Sequence, residues 1–271
     1  MLGKDRARGV AVVTGGAGGM GSACAIKLAA EGWDELLLCD IHADRLEAVA
    51  APLRAGGASV EVLTGDVADP GFPASIVAAL AGRPISALIH TAGISPTMAD
   101  AARILDVNLD ATVRLVDGLR DVMAPGSAAV LYSSNSANFP MPTEAAAAFT
   151  QPLPPGGVAS LLHLASTPNL AYPLSKMGVR ALVKREAKSF GERGARLISI
   201  SPGAIDTAMT RDEVPNSEGA QRMIRESAMG RMGRAEELAA VSVFLCSSEA
   251  SLVTATDWLV DGGPEIGRAH V

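Results

Sequence analysis

Val10-Ala-Val-Val-Thr14-Gly15-Gly-Ala-Gly-Gly19-Met20-Gly21 is the stretch on which the fold turns. A short apolar run reads as a buried strand, and the glycines that follow are spaced Gly15-x-x-x-Gly19-x-Gly21 ahead of a small-residue helix, Ser22 to Glu31. A strand, a glycine turn and a helix in that order bring a tight backbone close to a pyrophosphate and aim a helix N-terminus at the anion. Taken alone, the turn also reads as a plain strand-to-helix connection. Asp40 ends the next apolar run, Glu35 to Asp40, about 20 residues downstream, where a carboxylate reads the adenosine ribose hydroxyls. It would repel a 2′-phosphate, and neither Gly18 nor Ile41 supplies a compensating cation. The expected cofactor is NAD rather than NADP.

Outward from this turn, strand-like and helix-like segments alternate. Further strands are expected at Ser59–Leu63, Ile85–His90, Ala128–Ser133, Arg196–Ser201 and Asp257–Val260. Asp44-x-x-Glu47 has the spacing of a capping box for a helix with Leu46, Val49 and Leu53 on one face. Asp100–Met123 reads as one long helix, followed by helices at Leu174–Phe190 and Glu236–Ser247. Continuous apolar strands alternating with helices predict a parallel, doubly wound α/β sheet of about seven strands, covered on both faces. No repeat or linker divides residues 1–271, so one domain is expected.

The composition narrows the function classes. A formal charge of −6 argues against a nucleic-acid partner held by phosphate contacts. No apolar run approaches the roughly 20 residues needed to span a bilayer, and the charged start, Met1 to Arg8, does not read as a signal peptide. Cys24, Cys39 and Cys246 are odd in number and far apart, without disulfide or metal-ligand spacing. His42, His90, His163 and His270 form no metal cluster, so no metal is expected. The chain is expected to be cytoplasmic.

Tyr172-Pro-Leu-Ser-Lys176 carries the chemistry. A phenol titrates near ~10, too high for a base at neutral pH. An ammonium one helical turn away favours the phenolate, as would a cationic nicotinamide. Beside a dinucleotide turn, the pair fits acid–base work on an alcohol or ketone.

These motifs resemble the short-chain dehydrogenase/reductase family in its single-domain, Rossmann-type form, over nearly the whole chain. Thr14, Gly15, Gly19, Met20 and Gly21 match its glycine turn, and Asp40 and Ile41 its ribose-side residues. Asp66-Val67 stands where the family has an adenine-contacting Asp. His90-Thr91-Ala92-Gly93 keeps its Ala-Gly but replaces its Asn pair. The resemblance implies a catalytic tetrad of Asn108, Ser134, Tyr172 and Lys176, with Ser133 and Ser136 as rivals for the serine. It implies that Asn108 holds a water linking Lys176 to solvent, and that Tyr172 and Lys176 also contact the cofactor. Pro202, Gly203, Ile205 and Thr207 match the turn that holds the nicotinamide carboxamide. Ala255 stands where the C-terminal signature has Gly.

Two departures bear on substrate and assembly. Gly93 and Asn108 are only fifteen residues apart, whereas Ser134 and Tyr172 are 38 apart. The extra segment, about residues 139–170, carries six prolines yet also Phe149, Leu153, Leu161, Leu162 and Leu164. It reads either as a surface loop or as a partly helical lid or interface element. This layout resembles the bacterial 3α-hydroxysteroid dehydrogenase/carbonyl reductase subgroup, which implies a bulky alicyclic alcohol or ketone as substrate and a homodimer or homotetramer. A diol or terpenoid-alcohol dehydrogenase and a non-catalytic dinucleotide sensor are the alternatives. Ala208–Met229 is the other substrate-side candidate, with Met209, Met223, Ile224 and Met229 as lining residues or ordinary packing.

Overall fold

The computed structural model describes residues 7–151 and 157–264; the side chains of residues 209, 212, 213, 216 and 219 lie outside the described set. Leu153 and His270, singled out above, fall outside it too. The chain alternates β1 (Val10–Thr14), α1 (Gly19–Ala30), β2 (Glu35–Asp40), α2 (Ala43–Ala55), β3 (Ser59–Thr64), α3 (Phe72–Leu80) and β4 (Ile85–His90). It continues with α4 (Ala101–Leu105), α5 (Ala111–Leu119), β5 (Met123–Tyr132), α6 (Thr143–Ala147), α7 (Pro168–Gly191) and β6 (Arg196–Pro202). Last come β7 (Ile205–Asp206), α8 (Ala208–Glu213), α9 (Glu218–Glu226), β8 (Gly233–Arg234), α10 (Ala235–Cys246) and β9 (Asp257–Val260).

Seven strands make one parallel sheet in the order β3-β2-β1-β4-β5-β6-β9, and β7 pairs with β8 apart from it. The strands are apolar throughout because both faces are covered. Val12, Leu37, Leu88, Leu131 and Leu197 pack on α3, α5 and α7 through Ile76, Leu115 and Val179. The alternate residues Val13, Leu38, Ile89, Val130 and Ile198 pack on α1, α2 and α10 through Leu28, Leu46 and Val243. From β1 the chain winds outward to β3, then returns to lay β4 on β1's other side. That reversal opens a crevice at the C-terminal ends of β1 and β4, where ligands of such sheets bind.

The elements depart from expectation in several places. The helix α2 is capped by His42 without a side-chain bond, so Asp44 and Glu47 form no capping box; Glu47 pairs instead with Arg54. The long helix expected over Asp100–Met123 is interrupted by a π-turn at Asp106–Asp110 and has ended before Met123, which opens β5. Helix α7 begins at Pro168, six residues before the expected start at Leu174, and absorbs Pro173. Helix α3, short and apolar, was not anticipated.

The segment before Tyr172 is neither loose loop nor open lid in its described part. A 3₁₀ turn (Asn135–Asn138), α6 and a second 3₁₀ turn (Gly157–Leu161) lay Ala145, Val158, Leu161 and Ala165 into the core with Leu105, Leu109 and Val179. The Phe149 ring presses on Gly178 of α7, where an added Cβ would meet Cε1 at 3.0 Å. Its leucines are therefore a cover over α4, the π-turn and α7.

Candidate active site

Gly15 leaves β1 with φ +73, a left-handed turn that favours glycine. A Cβ on Gly21 would stand 2.1 Å from the Gly15 carbonyl, so the first turn of α1 closes onto the loop only with glycine there. Gly18 caps α1 without a side-chain bond, and no acidic residue occupies the first turn. No carboxylate of the helix's own first turn competes for the N–H groups at that end, which suits an anion cradle. Thr14 is fully buried and Met20 half-buried beside this turn.

Asp40 reaches back to the cradle: its Oδ2 accepts the Ala17 N–H at 3.1 Å and its Oδ1 the His42 N–H at 3.1 Å. Each oxygen keeps a lone pair for a hydroxyl donor. Ile41 is exposed beside it. Asp66 lies at the end of β3, where its Oδ1 accepts the Ala68 N–H at 2.9 Å and its Oδ2 pairs with Arg103 of α4; Val67 is buried behind it. Burial works to raise the Asp66 pKa, but the Ala68 N–H and the Arg103 guanidinium outweigh it and hold the carboxyl below its usual range. Arg103 was not foreseen as a neighbour of this carboxylate, because the pairing depends on how α4 returns to β3.

At the end of β4, Ala92 backs the glycine turn; a Cβ on Gly15 would meet its N at 2.7 Å. Gly93 faces both Asn108 and Lys176, with an added Cβ falling 3.1 Å from Asn108 Oδ1 and 3.4 Å from Lys176 Nζ. The Asn108 amide is committed to the backbone of Ile94, accepting its N–H at 2.8 Å and donating to its carbonyl at 2.9 Å. Asn108 therefore fixes the wall beside Lys176.

Three serines at the end of β5 are separated by their bonds. Ser133 Oγ donates to the Lys176 carbonyl at 2.8 Å and ties β5 to α7. Ser134 Oγ accepts the Ser136 N–H at 3.1 Å, which leaves its own hydroxyl hydrogen to donate. Ser136 Oγ is buried without a hydrogen-bond partner. On α7, Lys176 is 5 % exposed, lies 5.7 Å from the Tyr172 ring centroid and donates to the Tyr132 carbonyl at 3.0 Å. Burial draws its pKa down to about 8.

His90 replaces an asparagine of the family pattern, and its bonds define a direction. Thr112 Oγ1 donates to the Asn108 carbonyl at 2.9 Å, so His90 Nε2–H must donate to Thr112 Oγ1, also at 2.9 Å. The remaining nitrogen, Nδ1, then accepts from Thr14 Oγ1 at 2.6 Å. One neutral tautomer links Thr14, ahead of the glycine turn, to the backbone of Asn108. Burial, with the Lys176 charge adding to it, lowers the His90 pKa to about 3.

The loop after β6 closes the crevice. Gly203 packs so tightly that a Cβ would meet Asp261 at 2.7 Å, and a Cβ on Gly19 would meet Thr207 Cγ2 at 2.9 Å. Pro202 and Ile205 are buried, and Thr207 caps α8 through the Thr210 N–H. Thus the loop from Pro202 to Thr207 reaches the start of α1. Met223 and Ile224 of α9 line a small pocket with Ala204, Ser227, Arg231 and Asp261. Met229 is exposed, and the side chain of Met209 lies outside the described residues. Among the described residues no group of His, Cys, Asp or Glu could hold a metal ion, and no helix is long and apolar enough to cross a membrane.

The model of the short chain dehydrogenase family matches residues 9–148. The chain belongs to that family. A second model, described as enoyl-(acyl carrier protein) reductase, matches residues 157–265. The 3-alpha-(or 20-beta)-hydroxysteroid dehydrogenase of Mycobacterium tuberculosis is 32% identical over 279 residues, covering 96% of this chain and 91% of that protein. Levodione reductase of Leifsonia aquatica is 29% identical over 272 residues, covering 94% and 93%. A short-chain dehydrogenase/reductase from Brucella melitensis, titled glucose/ribitol dehydrogenase, shares the fold with TM-score 0.76 at 24% identity, over 95% of this chain and 97% of that one. The seven-stranded parallel sheet flanked by helices is the fold these relatives share. The chain is an oxidoreductase of the kind that acts on secondary alcohols through a nicotinamide dinucleotide.

Proposed function

We propose that this short-chain dehydrogenase transfers a hydride between NAD and a secondary alcohol or ketone of bulky alicyclic or steroid-like shape. The observation that carries the chemistry is Lys176 Nζ, held 5.7 Å from the Tyr172 ring and bonded to the Tyr132 carbonyl, two residues ahead of Ser134, whose hydroxyl hydrogen is left to donate. When bound, the nicotinamide supplies the hydride acceptor or donor. Everything else falls to the chain.

Tyr172 holds the proton at the substrate oxygen, and the Lys176 ammonium favours its phenolate. With one Nζ hydrogen on the Tyr132 carbonyl, Lys176 keeps two for ribose hydroxyls. Ser134 donates to the substrate oxygen and stabilises the charge that develops there. The Asn108 amide braces Ile94, and the Asn108 backbone carbonyl, which accepts the Thr112 hydroxyl, keeps a lone pair that would hold a relay water. The Asp40 carboxylate, with exposed Ile41 beside it, supports NAD over NADP. Relatives named for a hydroxysteroid and for levodione support a cyclic substrate.

We also infer a cytoplasmic homodimer or homotetramer. Three buried, unbridged cysteines suit a reducing compartment, and exposed Leu252 and Leu259 near the edge strand β9 suit a partner. Incubating the protein with cyclic alcohols and steroids plus NAD⁺ or NADP⁺, and following absorbance of the reduced nucleotide, tests the function. Turnover at least about tenfold better with NAD⁺ is expected. An enzyme that prefers NADP⁺, or that oxidises none of these alcohols, contradicts the reading.

A further inference from the structure

We propose that Asn135 and Ser136 form a second oxygen-binding subsite beside Ser134, so that the substrate bears another hydroxyl or carbonyl near the reacting carbon. This rests on the dehydrogenase reading above and narrows its substrate class to cyclic diols, hydroxyketones and diones.

Ser136 is 7% exposed and its Oγ has no hydrogen-bond partner. A buried hydroxyl left unmet is costly, so such groups are normally satisfied by protein, water or ligand. Its backbone N–H is 3.1 Å from Ser134 Oγ, and the reach from a backbone N to its own Oγ then places the orphan hydroxyl within roughly 7 Å of the group that polarises the substrate. That is the span of a few bonds in one ring.

Asn135 adds a second donor. It is 4% exposed, and its Nδ2 donates only to a thioether, Met223 Sδ of α9, at 3.8 Å. Thioether sulfur is a weak acceptor. A substrate oxygen entering between the 3₁₀ turn and α9 replaces it with a stronger one. Met223 itself lines the pocket that adjoins Ala204 of the nicotinamide loop, so the amide lies on the side from which substrate meets the cofactor. A polar pair at this place has no use for an alcohol with a single oxygen.

The test compares kcat/KM for vicinal cyclohexanediol and for cyclohexanol in the wild type, Ser136→Ala and Asn135→Leu, with NAD⁺ saturating. The wild type is expected to favour the diol. Each variant should lower the diol-to-cyclohexanol ratio at least about tenfold, chiefly through KM for the diol. Thermal unfolding of Ser136→Ala shows that the variant is folded, since removing an unpartnered hydroxyl leaves no new orphan. A ratio that does not change, or two activities that fall in parallel, overturns the subsite while leaving the dehydrogenase reading in place. A wild type that reduces NAD⁺ with neither alcohol nor with any steroid overturns that reading, and the subsite with it.

Discussion

Lys176 Nζ lies 5.7 Å from the centre of the Tyr172 ring and is pinned by a 3.0 Å bond to the Tyr132 carbonyl. The ammonium is held where it helps the phenol, at the expense of its own hydration. Its pKa falls from 10.5 to about 8 because the site is buried.

That cost has a pH signature in the cofactor-free protein. Below about pH 8 both folded and unfolded states carry the proton, and the full penalty, roughly 3 kcal/mol, is present. Between about 8 and 10.5 the unfolded chain binds the proton and the folded one does not, so stability rises with pH. Lys176→Met should therefore be the more stable protein near neutral pH, with the gap closing toward pH 10.5. Urea unfolding of both proteins across this range checks it; a gap independent of pH contradicts it.

His90 should be neutral, with hydrogen on Nε2 and none on Nδ1, from its bonds to Thr14 and Thr112. Nitrogen NMR of the imidazole is expected to show this one tautomer with no titration near pH 6.5, the value of an unperturbed ring. Since the folded pKa is depressed to about 3, the contribution of His90 is whole above pH 6.5 and is lost as pH falls toward 3, by up to ~1.4 kcal/mol per unit. An imidazolium signal appearing near pH 6 would contradict the bond directions.

Asp40 and Ile41 should set the cofactor. Replacing the pair by Asp40→Ser with Ile41→Arg removes the carboxylate and supplies a cation. The NAD/NADP ratio of kcat/KM should then move toward NADP on the order of 100-fold. A ratio that stays put places the discrimination elsewhere.

Ala255 has φ +56, a left-handed conformation in which its Cβ is crowded. The Ala255 N–H still bonds to the Leu197 carbonyl at 2.9 Å, so the turn is kept despite the strain. Ala255→Gly is expected to gain about 1 kcal/mol in denaturant unfolding. Loss of stability would mean that the methyl contributes more in packing than it costs in strain.

The strands and the cradle were legible because both depend on local chemistry. Apolar runs such as Leu36–Cys39 can only be buried, and Gly15 and Gly21 follow from a turn that admits no Cβ. Ser134 was separable from Ser133 and Ser136 only by their partners, which come from α7 and from the turn itself. The π-turn at Asp106–Asp110 left no mark in the periodicity, because it is set by fitting Asn108 between Ile94 and Thr112. The sequence places the start of α7 late, at Leu174, because the five residues ahead of Pro173 carry no helical period of their own, yet α7 runs through Pro173 from Pro168. The apolar content of residues 139–170 left a surface loop and a lid or interface element both open, because the surface its described part covers is assembled from α4, the π-turn and α7.

The central claim is that Tyr172 moves the proton while hydride passes to or from the nicotinamide. The direct measurement is steady-state NADH formation by wild type and Tyr172→Phe on the best cyclic alcohol found, alongside NADH binding by fluorescence. A fall in kcat of roughly 10³-fold is expected, with NADH binding nearly unchanged. A Tyr172→Phe enzyme that keeps wild-type turnover would contradict it.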